Sequence, residues 1–185
     1  MTGVQTCALP IYPAEVDRFA SELVEVSTRH HLSYWLAQGA TYSGWAHSAS
    51  GDTAEGILRI EQGIRDLRAT GAVLGLPHNL TLKAEALYLA DRTSEALEAI
   101  DEAVVLAERI ELRGMFSRLR RLRGVFLAAV GAEEAQIETS FCEAIRIARE
   151  QKSVSLLKRA EGTYTEYRRQ KVSASGGPGF RLPLR

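Results

Sequence analysis

Arg113, Arg118, Arg120, Arg121 and Arg123 crowd into one short stretch and make the strongest chemical signal in the chain. A guanidinium forks its N–H donors toward carboxylates and phosphates, so such a run could hold an anion or an acidic peptide. The simpler reading is a solvated helix face paired with Glu95, Glu98, Asp101, Glu102 and Glu108 just upstream. Nucleic-acid binding would need a basic surface wider than one helix. Other chemistry is thin. His30 and His31 are adjacent, but neighbours on a helix point about 100° apart. A basic pair closing a helix, at the negative end of its dipole, is the better reading than a metal site. Cys142 sits beside Phe141 and Ile145 and is expected as a buried or half-buried structural thiol, not a nucleophile. The lysines Lys83, Lys152, Lys158 and Lys171 belong to no phosphate-binding loop, and no His-Glu-x-x-His occurs. Asn79-Leu80-Thr81 fits a glycosylation triplet but falls inside a predicted helix, and is taken as chance. No catalytic centre, cofactor or metal is therefore expected.

The composition sets the same bounds. Twenty-three basic residues balance twenty-three acidic ones in 185 residues, so no global charge draws the chain to nucleic acid or an anionic membrane. No apolar run approaches the roughly 20 residues a membrane span needs. Two cysteines, Cys7 and Cys142, are too few for a disulfide framework or a thiolate zinc site, and a reducing cytoplasmic setting fits. Residues 1–11, MTGVQTCALPI, look like a translated sequencing adapter and lack the basic start and apolar centre of a signal peptide. The natural chain would then begin near Tyr12, as the C-terminal piece of a longer protein. Residues 172–185, rich in Ser, Gly and Pro and free of acidic residues, are expected to be a disordered tail.

Between these ends lies a repeat. Gly44, Ala84 and Gly124 stand 40 residues apart, as do Gly51, Asp91 and Gly131. Ile57, Ile60, Gly63, Ile64 and Leu67 map onto Leu97, Ile100, Ala103, Val104 and Ala107, then with one inserted residue onto Phe141, Ala144, Ile145 and Ala148. Spacings of three and four put each set on one helix face. Helices are predicted over 14–29, 32–49, 54–69, 77–90, 94–109, 112–130, 133–150 and 153–169. Gly ends one helix and Asp or Thr caps the next in the short links between them. Glycine inside a helix costs about 1 kcal/mol against alanine. Gly44, Gly56, Gly63 and Gly124 therefore point to close helix–helix approach. Residues 12–171 are expected to form one all-α domain.

Antiparallel helix pairs with small residues at fixed places resemble tetratricopeptide (TPR) repeats. Gly44, Gly56, Ile60 and Gly63 match the small–small–large–small pattern in one copy, and Ala84, Ala96, Ile100 and Ala103 match it in the next. Gly124, Ile137, Phe141 and Ala144 follow it less cleanly. The 40-residue step exceeds the usual 34, which implies longer helices. A closer resemblance covers residues 22–170 through Gly44-Trp45-Ala46, Gly51-Asp52, Arg68-Ala69-Thr70-Gly71, Ala84-Glu85-Ala86, Arg121-Leu122-Arg123-Gly124 and Ala144-Ile145-Arg146-Ile147-Ala148-Arg149. These runs are similar to the C-terminal repeat region of large bacterial signalling ATPases, often fused to a class III adenylate/guanylate cyclase or a DNA-binding domain. Val125 departs where that family usually has Glu, and His78 where it is often aromatic.

The resemblance implies a TPR-like α-solenoid acting as a regulatory interaction module, without the parent's ATPase or cyclase chemistry. In TPR proteins the first helix of each pair lines the groove. By position this gives Thr41, Trp45, Thr81, Glu85, Tyr88, Arg118 and Arg121 as partner-binding residues. The partner would be a protein or peptide segment, including the parent's own catalytic domains, with neither nucleic acid nor membrane contacted directly. Trp45 and Tyr88 are aromatic anchors or, equally, packing residues. The alternative function is a small-ligand sensor holding an effector within the superhelix.

Overall fold

The structure, a computed structural model, describes residues 12–173 and 182–184. Residues 1–11, expected to be foreign, and 174–181 and 185, from the expected tail, lie outside the described residues. The described chain forms helices α1 Pro13–Arg29, α2 Ser33–Ala49, α3 Thr53–Ala69, α4 Leu76–Leu89, α5 Thr93–Arg109, α6 Phe116–Ala129, α7 Glu134–Glu150 and α8 Val154–Ser173. A 3₁₀ turn, Arg113–Met115, precedes α6, and no strand occurs among the described residues. That turn is why α6 starts later than the apolar pattern predicts: the Met115 N–H reaches back only to Leu112. α8 runs past 169 because no Gly or Pro stands between 169 and Gly176.

The links explain the 40-residue spacing of Gly51, Asp91 and Gly131. Each takes a left-handed backbone, with φ of 105°, 59° and 71°. The next N–H then bonds back across the helix end: Asp52 to His47 at 3.0 Å, Arg92 to Leu87 at 2.9 Å, Ala132 to Leu127 at 3.0 Å. This closure satisfies carbonyls that a helix end leaves open. His31, Glu111 and Lys152 do the same after α1, α5 and α7, with φ of 55°, 52° and 54°. His30 and His31 therefore close α1, as the helix-end reading expects. Of the expected side-chain caps, Asp52 provides one, accepting from the Glu55 N–H at 3.4 Å. Asp91 instead occupies the left-handed position, and the residue before α5 is Arg92.

Consecutive helices pack as antiparallel hairpins, α2 with α3, α4 with α5 and α6 with α7, and α1 packs on α2. Contacts then pass from α3 to α4, α5 to α6 and α7 to α8, and also from α2 to α4 and α6 to α8. Two layers result, α1/α3/α5/α7 outside and α2/α4/α6/α8 inside, staggered along one direction rather than closed into a bundle. The outer helices are amphipathic. α5 buries Ala96, Ala99, Ile100, Ala103, Val104 and Ala107. α4 is wedged between hairpins and buries residues around most of its circumference. Phe126, Phe141, Ile60, Leu67, Leu87 and Ile100 are the large fully buried side chains along the core. Each stabilises by about 1.5–3 kcal/mol relative to exposure.

Small residues set the spacing of α2 and α3. A Cβ on Gly44 would lie 2.5 Å from the Gly56 carbonyl oxygen, and one on Gly56 would strike the Gly44 carbonyl and the Ser48 hydroxyl. The two backbones touch, and neither position has room for a side chain. One expectation fails on α7. Cys142 is exposed, because Phe141 and Ala144 take the inward positions and the next residue points about 100° away.

Candidate functional site

The arginine run divides by helical geometry. Arg120 and Arg123 turn toward the outer layer. Arg123 Nε pairs with Asp101 at 2.6 Å; Arg120 pairs with Glu108 at 2.8 Å and Glu143 at 3.2 Å. Part of the run is thus the paired face that the acidic helix suggested. Arg118 and Arg121 lie two residues earlier in register, about 200° round the helix, and face the inner layer.

There they meet residues brought by α2 and α4. Trp45 Nε1 donates to Glu85 Oε2 at 2.9 Å, and Arg118 Nη2 donates to Glu85 Oε1 at 2.8 Å. The Glu85 residue is 7% exposed, and burying so polar a side chain is costly unless donors such as these satisfy it. One donor comes from the preceding hairpin and one from the following hairpin. Trp45, Glu85 and Arg118 therefore form a polar line across three repeats. His78, two turns before Glu85, is pushed down to about 4, first by burial and then by the Arg118 charge, with Glu85 opposing. It is neutral at pH 7. Its ring lies 5.8 Å from that of Tyr42, whose hydroxyl is pushed up by burial.

Thr41 and Thr81 are fully buried, and each hydroxyl donates to the carbonyl four residues back, at 3.0 and 2.7 Å. Asn79 Nδ2 donates to the Thr41 hydroxyl at 3.3 Å and ties α4 to α2. Asn79 is 0% exposed, so its amide is closed to modification in the folded chain.

Tyr88 and Arg121 converge on a different object, the chain's own residues 182–184. The Tyr88 hydroxyl accepts the Leu182 N–H at 3.0 Å and donates to the Leu182 carbonyl at 3.2 Å. Arg121 Nη2 donates to the Leu184 carbonyl at 2.8 Å, and Nη1 donates to the Thr163 hydroxyl of α8 at 3.4 Å. Leu182 is 2% exposed and joins the core, Leu184 packs on it half-buried, and Pro183 between them faces out. Tyr88 is backed by Phe126, ring centres 5.2 Å apart. Burial lowers Arg121 to about 10, with Arg118 and Arg159 adding to the shift and Glu85 opposing it, so it remains charged at neutral pH.

Of the seven positions singled out from sequence, Trp45, Glu85 and Arg118 are thus linked, Tyr88 and Arg121 grip one peptide segment, and Thr41 and Thr81 are closed within the packing. Sequence reasoning missed His78, Thr163 and the segment 182–184. The available signal for the last was a Leu-Pro-Leu set within a Gly- and Ser-rich stretch. Among the described residues no group of three or more His, Cys, Asp or Glu could hold a metal ion. No helix there is long and apolar enough to cross a membrane.

No family model matches the chain. In sequence it is 28% identical over 147 residues to an uncharacterised protein of Rhizobium meliloti (strain 1021). That match covers 80% of this chain and 14% of the relative, so the chain spans a small part of that protein's length. In structure it is similar to PlcR of Bacillus thuringiensis, solved in complex with the peptide PapR7 and DNA. The TM-score is 0.66, with 88% of this chain and 54% of PlcR covered and 20% of residues identical. The fold is a TPR-like α-solenoid. The hairpins of such a solenoid each bury an apolar face only against their neighbours. The inner helices therefore meet in register, and positions 45 and 85, one repeat apart, come within hydrogen-bond reach.

Proposed function

We propose that this chain is a peptide-binding regulatory module whose inner face, between α4 and α6, holds a segment of a partner protein. The observation that carries this reading is the grip of Tyr88 and Arg121 on the main chain of Leu182–Leu184. A site that bonds backbone N–H and C=O and buries an apolar side chain is chemically a peptide site. The fold shared with PlcR, solved with a bound peptide, agrees with it. The small-ligand alternative has less support, because Leu182 fills the apolar seat next to Tyr88. Nucleic acid is left out of the reading: Arg120 and Arg123 are neutralised by Asp101, Glu108 and Glu143. The parent is a larger bacterial signalling protein of the ATPase or nucleotide-cyclase kind, working in the cytoplasm. The runs around Gly44, Arg121 and Ala144 support that, as does the much greater length of the Rhizobium relative.

The test is selection of binders to the full chain from a random peptide library, followed by titration. On the chain carrying Leu182→Ser/Leu184→Ser, which vacates the seat, selected peptides should bind saturably, and adding Arg121→Gln or Tyr88→Phe should weaken them about tenfold, the scale of a lost buried hydrogen bond. Arg123→Gln, on the outer-facing side of α6, should leave them unchanged. Binding indifferent to Arg121 and Tyr88 would remove the inner face as the site.

A further inference from the structure

The segment 182–184 is more than a convenient occupant. Leu182 and Leu184 turn inward and Pro183 outward, the period-two alternation of an extended strand. The groups that grip it touch backbone at the first and third residues. Neither hydrogen-bonds a side chain of the segment. Recognition by these contacts is therefore of two apolar side chains two residues apart, on a main chain whose middle residue donates nothing. Proline satisfies that middle position at no loss, since it has no N–H to leave unpaired. Leu182 lies 94 residues from Tyr88 and Leu184 lies 63 from Arg121, so no local helix contact forces them together.

We propose that the inner face is a receptor for an extended Leu-x-Leu segment, that residues 182–184 fill it in cis, and that a partner segment of the same pattern binds by displacing them. This rests on the peptide-binding reading above and adds the ligand's pattern and its internal competitor. A segment tethered to the domain competes at a local concentration on the order of millimolar. A partner peptide in trans must overcome it, and apparent affinity falls by the fraction of molecules whose seat is free.

Two measurements on the full chain test it. The first is fluorescence anisotropy with a labelled heptapeptide, Gly-Phe-Arg-Leu-Pro-Leu-Arg, and a control carrying Ser at both Leu positions. The double variant Leu182→Ser/Leu184→Ser should bind the Leu peptide about tenfold or more tightly than the wild-type chain does, the scale of one buried leucine. The Ser peptide should bind neither protein. Equal affinity of wild type and double variant for the Leu peptide would overturn competition in cis, and equal affinity for the two peptides would overturn the Leu-x-Leu pattern. No binding of the Leu peptide to the double variant would overturn the proposal, while library peptides that still depend on Arg121 would leave the broader reading standing. The second measurement needs no partner. The Leu182 amide should exchange its hydrogen at least tenfold more slowly in the wild type than in Tyr88→Phe, which deletes the hydroxyl and keeps the ring. Equal exchange in the two would overturn the seat itself.

Discussion

His78 makes the interior between α4 and α6 sensitive to acid, and the size of the effect follows from its surroundings. In the unfolded chain its imidazole titrates near 6.5; in the fold, burial and the Arg118 charge lower that to about 4. Between those values the unfolded chain holds a proton the folded chain refuses. Stability must then fall as pH falls from about 6.5, and this contribution levels off below about 4. Above 6.5 both states are neutral there and nothing is lost. One pH unit of such mismatch is worth about 1.4 kcal/mol, so lowering the pH from 7.5 to 5 should remove about 2 kcal/mol through His78 alone. His78→Phe keeps a flat ring beside Tyr42 and cannot take the proton. Urea unfolding of both proteins at pH 7.5 and pH 5 isolates the effect, because the carboxylates titrate alike in each and cancel. The variant should lose about 2 kcal/mol less than the wild type over that range. If the two proteins lose stability in parallel, His78 is not held neutral, and the account of the Arg118–Glu85 surroundings is wrong.

Two further outcomes separate the packing argument from helix propensity and check the exposed thiol. At Gly56 a Cβ meets the Gly44 carbonyl and the Ser48 hydroxyl, whereas at Gly162 in α8 a Cβ meets nothing within 4 Å. Gly56→Ala should destabilise, since about 1–3 kcal/mol of overpacking exceeds a helix-propensity gain of up to about 1 kcal/mol. Gly162→Ala should stabilise by about 0.5–1 kcal/mol, and urea midpoints moving in the same direction would contradict the close approach of α2 and α3. Cys142 should be alkylated in the native chain at a rate close to that of the unfolded chain, read by peptide mapping. Protection by an order of magnitude would mean that α7 is turned the other way.

The outer layer was legible because its helices have one dry face. Ile57, Ile60, Ile64 and Leu67 repeat at helical spacing, and burial follows the pattern residue by residue. The links were legible for a related reason: a left-handed position favours Gly and tolerates Asp, so Gly51, Asp91 and Gly131 marked the step. The inner layer was harder to read. α2 and α4 carry Thr41, Trp45, Thr81 and Glu85 among small apolar residues, a mixture that looks like an open groove lining. Covered from both sides, these residues bond one another and their own backbones instead of facing solvent. Composition hid the tail segment as well. A Gly- and Ser-rich stretch carries no periodic signal, and contacts across 94 and 63 residues leave none.

The polar line nevertheless follows from the repeat, and this makes the site a property of register rather than of any one helix. Trp45 and Glu85 stand one 40-residue step apart and meet at 2.9 Å, so equivalent positions in successive hairpins face one another. Arg118 completes the line from the third hairpin, and Arg121, one turn further on the same face, carries it to Leu184 and α8. Any slip of one hairpin along the solenoid would leave Glu85 buried without its donors, a loss of several kcal/mol. The same slip would part Tyr88 from Arg121 across the seat of Leu182. The stacking that protects the apolar faces and the geometry that grips a peptide backbone therefore depend on one alignment. A partner that inserts between α4 and α6 must preserve it and replace only residues 182–184.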